Sequence, residues 1–277
     1  MINLESADQI IREFKEKIDH PQPYEKKKKL FTGVDLGTAY IVLAVVDEDG
    51  NPVAGAMRFA QVVKDGLVVD YIGAVNIVRE LKEKIENDLG VELLTAGIAY
   101  PPGTSKGDRK SICHVAEAVG FEVVTTLDEP TAANNVLKVT NGAVVDIGGG
   151  TTGTAILEGG KVTYVADEPT GGTHFSLVIS GAYKIPFEEA EKLKLDITKH
   201  PELLPAIKPV IQKVASIVKC HIQGRKVETV YLVGGTSCFT NIDKIIETEL
   251  GLPTIKPENP LLVTPLGIAL GVKKVKE

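Results

Sequence analysis

The sequence has little of what many active sites are built from. Its 277 residues hold three scattered cysteines, Cys113, Cys220 and Cys238, and five histidines. The cysteines make neither a disulfide framework nor a zinc set, and the histidines show no metal-ligand spacing. No Gly-x-Ser-x-Gly occurs, which removes the nucleophile elbow of the hydrolases. Gly103-Thr104-Ser105-Lys106-Gly107 looks like part of a phosphate-binding loop but lacks the Gly-Lys-Ser/Thr ending, so it reads as a strand-to-helix connection carrying a cap. There is no basic excess either. Lys and Arg number 31 against 37 Asp and Glu, a net charge of −6, which argues against nucleic acid as a partner. No apolar run approaches the ~20 residues that span a bilayer, and no signal-peptide core opens the chain. The expectation is a soluble, cytoplasmic protein with no membrane partner.

What is present is ordinary globular composition, 43% hydrophobic and 25% charged. Its length suits one large domain or two coupled halves. Leu4, Ile10, Ile11, Phe14 and Ile18 recur at helical spacing before Pro21 and Pro23, and Lys26–Lys29 form a basic run. Residues 1–30 thus read as an amphipathic helix and linker. Two roles stay open for it: a helix packed on the body, or a docking peptide for a partner's groove. From Leu30 strands and helices alternate. Strand, turn and strand over 30–50 precede a helix over 72–90, a strand over 93–101 and a helix over 105–120. A second strand-turn-strand block covers 142–165, with helices over 187–195, 204–223 and 241–251 and a strand over 229–235. The alternation predicts an α/β fold, and the hairpins make its sheets mixed.

The two hairpin blocks repeat a pattern. Val34-Asp35-Leu36-Gly37-Thr38 and Val145-Asp146-Ile147-Gly148-Gly149-Gly150-Thr151 each place an acid at the end of a buried strand, then a glycine turn, then a hydroxyl. A single such turn is commonplace. Two matched turns facing one cleft make a phosphate clamp: glycines admit backbone N–H groups to phosphate oxygens, Thr38, Thr151 and Thr152 add hydroxyls, and the carboxylates hold hydrated Mg²⁺. Gly148, Gly150 and Gly153 also fit a dinucleotide fingerprint. A hairpin rather than a helix follows them, so that reading fails.

These residues resemble the superfamily of actin, the sugar kinases and the DnaK-type heat-shock chaperone ATPases over most of 31–271. GVDLGT (33–38) and VVDIGGGTT (144–152) look like its phosphate motifs. DEPTAAN (128–134) and PLGIALG (265–271) resemble its connecting helices, and YLVGGTS (231–237) its adenosine motif. VVKDGLVVDY (62–71) and AEKLK (190–194) are similar to segments of the cytoskeletal MreB proteins. The length, the N-terminal extension and TGGTHF (170–175) are most similar to a chaperone-like family of ethanolamine utilization, encoded with a bacterial microcompartment.

The resemblance implies a duplicated ribonuclease-H-like (actin-like ATPase) fold with mixed sheets flanked by helices around a nucleotide cleft. Residues 31–141 and 265–277 would form one half and 142–264 the other. It implies ATP or ADP and Mg²⁺ as ligands, with Asp35 and Asp146 on the hydrated metal. Gly37, Thr38, Gly148, Gly149, Gly150, Thr151 and Thr152 would stand at the phosphates, with Gly172 in the same site. Glu129 would orient or deprotonate the attacking water; its other reading is a helix-cap acid before Pro130. Glu191 and Lys194 would hold the ribose, or else form an exposed ion pair. Gly234, Gly235 and Thr236 would let adenine approach backbone. Ala39 stands where the chaperones have a second threonine, Cys238 where they have an arginine, and Lys64 follows the MreB pattern. Those departures imply weaker binding or slow Mg-dependent hydrolysis. Three functions follow: a chaperone or assembly factor acting on a pathway enzyme or microcompartment shell protein, a filament former of the MreB kind, and a small-molecule kinase. The kinase is disfavoured because only 53–72 and 181–226 leave room for outer lobes.

Overall fold

The computed structural model describes residues 4–25 and 28–276. Within the basic run, Lys26 and Lys27 fall outside the described residues, as do Met1–Asn3 and Glu277. Helix α1 (Glu5–Asp19) opens the chain. It is followed by β1 (Leu30–Leu36), β2 (Tyr40–Asp47), β3 (Pro52–Phe59) and a small hairpin of β4 (Val63–Lys64) and β5 (Leu67–Val68). Then come α2 (Tyr71–Leu89), β6 (Thr95–Tyr100), α3 (Lys106–Glu117), β7 (Glu122–Asp128) and α4 (Glu129–Leu137). The plan restarts with β8 (Gly142–Ile147), β9 (Thr152–Glu158) and β10 (Lys161–Glu168). Helices α5 (Gly172–Tyr183), α6 (Phe187–Leu195) and α7 (His200–Ile222) precede β11 (Val230–Val233), α8 (Ile242–Leu250), β12 (Thr254–Ile255) and α9 (Val263–Lys276).

The two sheets have one topology. Their strand orders are β3-β2-β1-β6-β7 and β10-β9-β8-β11-β12. In each, three antiparallel strands meet parallel strands at the one that ends in the aspartate turn. Three apolar layers hold them. Helices α2 and α3 cover one face of the first sheet through Val78, Ile85, Ile112 and Val115. Helices α5, α7 and α8 cover the second through Phe175, Ile207, Ile211 and Ile246. Between the sheets, α1, α4 and α9 share a core with Phe31, Ala44, Val46, Val144 and Tyr231.

Helix α1 is packed on the body. Ala7, Ile11 and Phe14 are buried, and the Phe14 ring presses on Gly55 of β3, where a Cβ would come within 2.5 Å of it. Asp8 accepts the Glu258 backbone N–H at 2.8 Å, and Arg12 pairs with Glu258 across the interface. The linker is tied too, since the Tyr24 N–H donates to Leu89 O at 2.9 Å.

Local chemistry explains the element ends. Asp70 caps α2 by accepting from Gly73 N, and Gly90 ends it in the left-handed region. Three expectations need correction. Residues 52–59 are the third strand of the first sheet, so only the hairpin at 63–68 remains as an outer lobe there. Residues 172–183 form a helix that apolar periodicity did not reveal, because the segment is apolar nearly all round. Helix α7 begins at His200, with Pro201 in the first turn where its missing N–H has no helical partner to lose.

Candidate functional site

The two aspartate turns meet across one cleft between the halves. Its lining includes Asp35, Gly37 and Thr38 from the first turn and Asp146, Gly148, Gly149, Gly150 and Thr151 from the second. Glu129, Glu191, Lys194, Gly234, Gly235 and Thr236 line it as well. The turns lie against each other: a Cβ on Gly149 would sit 3.2 Å from Thr38 Cβ and from Ala39 N. Thr152 and Gly172 stand behind this wall. The Thr152 hydroxyl donates to Thr170 O at 2.6 Å, and Gly172 N donates to Gly148 O at 3.0 Å. Their contribution is to hold the second turn in place.

One end of the cleft is acidic. Burial pushes Asp35 up to about 7, helped by repulsion from Asp146. Asp146 is pushed up by burial to about 6, although a hydrogen bond from Thr264 Oγ1 at 2.6 Å pulls the other way. Glu129 is raised well above its usual range by burial and by the nearby Asp146, Asp35 and Asp167. Asp167 is raised to about 7, again chiefly by burial, with the nearby Thr151 hydroxyl opposing. No basic side chain contributes to any of these four shifts. Four crowded acids without a neutralising partner suit a divalent cation, and a donor set of carboxylates and hydroxyls suits Mg²⁺. Among the described residues no three His, Cys, Asp or Glu side chains converge to grip a bare ion. The residues present therefore fit a cation that keeps its water shell.

Glu129 is relieved of capping. The N-cap of α4 is Asp128, whose carboxylate accepts Thr131 N at 2.9 Å. Glu129 lies one residue on and faces the cleft.

Away from these acids, Tyr40, Leu195, Cys238 and Leu261 add apolar surface to the lining. Glu191 and Lys194 are not the exposed pair that helical spacing suggested. Their side chains are only 8% and 10% accessible, and they bond at 2.7 Å. Ser176 Oγ also donates to Glu191, and Lys194 Nζ donates to Gly172 O at 3.1 Å. Burial lowers the Lys194 pKa against the pull of Glu191. The Thr236 hydroxyl is taken up by Gly148 O at 2.7 Å, stitching the second phosphate turn to the Gly-Gly-Thr turn. Gly234 has φ 87° and packs on Asp146, whose carboxylate any side chain there would displace.

Sequence reasoning missed Asp167, Thr264 and the hairpin tip Asp65-Gly66. Thr264 immediately precedes the recognised PLGIALG segment and bonds Asp146 from α9. Gly66 lines the cleft, and Asp65 crowds Gly150, where a Cβ would lie 2.6 Å from its Oδ1. Lys64, beside that tip, is exposed and outside the lining.

Comparison with known proteins places this architecture. The family model of the MreB/Mbl proteins matches residues 52–203, and that of the cell division protein FtsA matches 143–267. The chain is 44% identical over 248 residues to the ethanolamine utilization protein EutJ of Escherichia coli K12, covering 89% of this chain and 87% of that protein. It superposes on the crystal structure of EutJ from Carboxydothermus hydrogenoformans with a TM-score of 0.91 at 50% identity, over 97% of this chain and 99% of the other. MreB5 of Spiroplasma citri bound to ADP superposes with a TM-score of 0.72 at 19% identity, over 90% of this chain and 97% of that one, a likeness of fold alone. Among the described residues no helix is long and apolar enough to cross a membrane.

Proposed function

The chain belongs to the EutJ family, within the actin-like ATPase fold shared with MreB/Mbl, and from that premise we propose that its cleft binds ATP or ADP with hydrated Mg²⁺. It hydrolyses ATP slowly and serves ethanolamine utilization in the cytoplasm as a chaperone-like or assembly protein. The observation that carries this reading is the pairing of two Asp-Gly-Thr turns with an acid-crowded end and an apolar end in one cleft.

When bound, the cation supplies positive charge against the polyphosphate and the crowded carboxylates. The chain's own residues do the rest. Thr264 fixes Asp146 by donating to it, and Thr38 and the glycine turns bracket the phosphates. The buried Glu191–Lys194 pair presents polar groups at the sugar. Glu129, free of capping duty, addresses the attacking water. Since α1 is held on the body, a pathway enzyme or shell protein would dock on the outer faces of the halves, where cleft closure changes their relative placement.

Thermal unfolding with and without Mg·ATP tests the reading: a ligand at ~100 times its Kd adds ~2.7 kcal/mol. An upward shift supports it; an unmoved melting temperature overturns it. A second reading, head-to-tail assembly, is favoured by unlike apolar surfaces on the two halves. Phe59, Leu67, Val69, Tyr71 and Ile72 are exposed on the first, and Leu177 and Ile197 on the second. Nucleotide-dependent light scattering decides it, and flat scattering at high concentration removes it.

A further inference from the structure

His200 opens α7 behind the cleft and is not part of its lining. It is buried, and its ring joins two segments that do line the cleft. Its Nε2 lies 2.8 Å from the carbonyl oxygen of Lys194, in the last turn of α6, where carbonyls lack helical partners. Its Nδ1 lies 3.0 Å from the backbone N of Thr240 and 2.8 Å from the Thr240 hydroxyl. A backbone N–H can only donate, so Nδ1 accepts, and the ring proton stays on Nε2 and is given to Lys194 O. The ring also stacks on Phe239, with centroids 3.9 Å apart and planes 22° apart. Phe239 and Thr240 directly follow the Gly234–Cys238 turn. Burial lowers the His200 pKa and Lys256 adds to this, against the Lys194 carbonyl and Asp196, so the neutral ring that both bonds need is the favoured form.

The two segments have separate supports. Helix α6 packs on α5 and carries Glu191 and Lys194 to the cleft. The Gly234–Cys238 turn is anchored by Lys256, whose Nζ donates to Ser237 O at 2.8 Å and to Phe239 O at 2.9 Å. On the cleft side the segments meet over Gly172, where a Cβ would lie 2.4 Å from Thr236 Oγ1 and 3.2 Å from Lys194 Nζ. On the far side they meet at His200. We infer that His200 is a positioning residue for the nucleoside end of this site: by clasping Lys194 O and Thr240 it sets how far Glu191 and Lys194 stand from the Gly-Gly-Thr turn, and so the width of the slot for sugar and base. Groups that hold a ligand work only while their own placement is fixed to within about 0.5 Å. The inference rests on the nucleotide reading above and adds to it a residue the ligand does not touch. In that reading the cation belongs with Asp35 and Asp146 at the phosphate turns, so the two ends of the site can be read separately.

The test measures ADP affinity by calorimetry in saturating Mg²⁺, and thermal stabilisation under saturating ADP as Mg²⁺ is raised. It compares the unaltered chain with His200→Ala, His200→Asn, His200→Gln and Ile246→Ala, the last a core variant on α8 outside the cleft lining. A lost hydrogen-bonded tie weakens binding about tenfold. ADP affinity should therefore fall about tenfold in His200→Ala, while the Mg²⁺ concentration at half-effect stays unchanged. Asparagine keeps an acceptor for Thr240 N and glutamine a donor for Lys194 O, so each should recover part of the loss. These two variants also keep the test decisive if His200→Ala fails to fold. Ile246→Ala should lower the melting temperature and keep its ADP affinity. Unchanged ADP affinity in all three His200 variants, amide variants no better than alanine, an equal affinity loss in Ile246→Ala, or a Mg²⁺ half-effect that moves in step with ADP affinity would each overturn the role of His200 alone. An unaltered chain that gives no binding heat with ADP would overturn the nucleotide reading beneath it.

Discussion

In the first sheet, the row that begins at Asp35 continues through Val42 to Met57; in the second, the corresponding row runs from Asp146 through Gly153 to Asp167. The backbone plan is the same, and so is the acid at the end of the central strand. The neighbours differ in kind. Val42 and Met57 fill their row with apolar volume, and Val42 is 1% exposed. Gly153 and Asp167 put a missing side chain and a carboxylate in theirs, with Pro102 and Pro130 close over Gly153. The outer strands differ as well: β3 lies under α1, with Phe14 on Gly55, whereas β10 presents Val162 and Val165 to solvent. A duplicated fold has kept its turn geometry in both halves while one half became a buttressed wall and the other a polar one.

The largest expected effect is on the pH dependence of stability without cation. Burial pushes Asp35 and Asp167 up to about 7 and Asp146 up to about 6, from an ordinary value of 3.8. Raised carboxyl pKa values mean that the folded chain binds more protons than the unfolded one, so stability falls as pH rises from about 4 to 7. Each acid accounts for up to ~1.4 kcal/mol per pH unit within that window. Denaturation midpoints should decline between about pH 5 and 7, and saturating Mg²⁺ with ADP should flatten the decline. The Asp146→Asn/Asp167→Asn pair should remove more of the slope than Asp35→Asn, which sharpens the contrast between the rows. A midpoint that climbs over that range would break it.

Phe14→Ala should destabilise by ~3–5 kcal/mol, the usual result of emptying a buried aromatic site. Val165→Ala on the outer strand of the other sheet should stay within ~0.5 kcal/mol. Equal losses in urea titrations would mean that β10 is covered after all. Exchanging the row characters comes next. Gly153→Val forces a side chain between Asp167, Pro130 and Pro102 and should lose ~1–3 kcal/mol together with the Mg²⁺ response. Met57→Ala, farther along the apolar row and outside the cleft lining, should lower stability while leaving the Mg²⁺ half-effect in place. The smallest effect belongs to Arg12→Ala, whose exposed pair with Glu258 is worth ~0–1 kcal/mol.

The features legible in the sequence were those encoded locally. Asp35, Asp146 and the glycine turns are read from a dozen adjacent residues, and the repeat between them points to one cleft. Asp167 escaped because its place depends on which residue of β9 it opposes, a fact of register that no local pattern states. Thr264 escaped for a similar reason, reaching Asp146 from the far end of the chain. Helical spacing put Glu191 and Lys194 on one face but did not say that the face was buried under Ser176 and Gly172. Glu129 could be a cap or a site acid until Asp128 was found occupying the cap. The third strand of the first sheet is rich in small residues, Ala54, Gly55 and Ala56, and owes its place to Phe14 packing on it.

Calorimetric titration of the chain with ADP, in Mg²⁺ and in chelator, reads the occupancy of the cleft itself. We expect one nucleotide per chain, with affinity at least about tenfold weaker when Mg²⁺ is chelated or when Asp146→Ala removes the acid of the second row. No binding heat at millimolar ADP, or binding indifferent to both Mg²⁺ and Asp146, would contradict it.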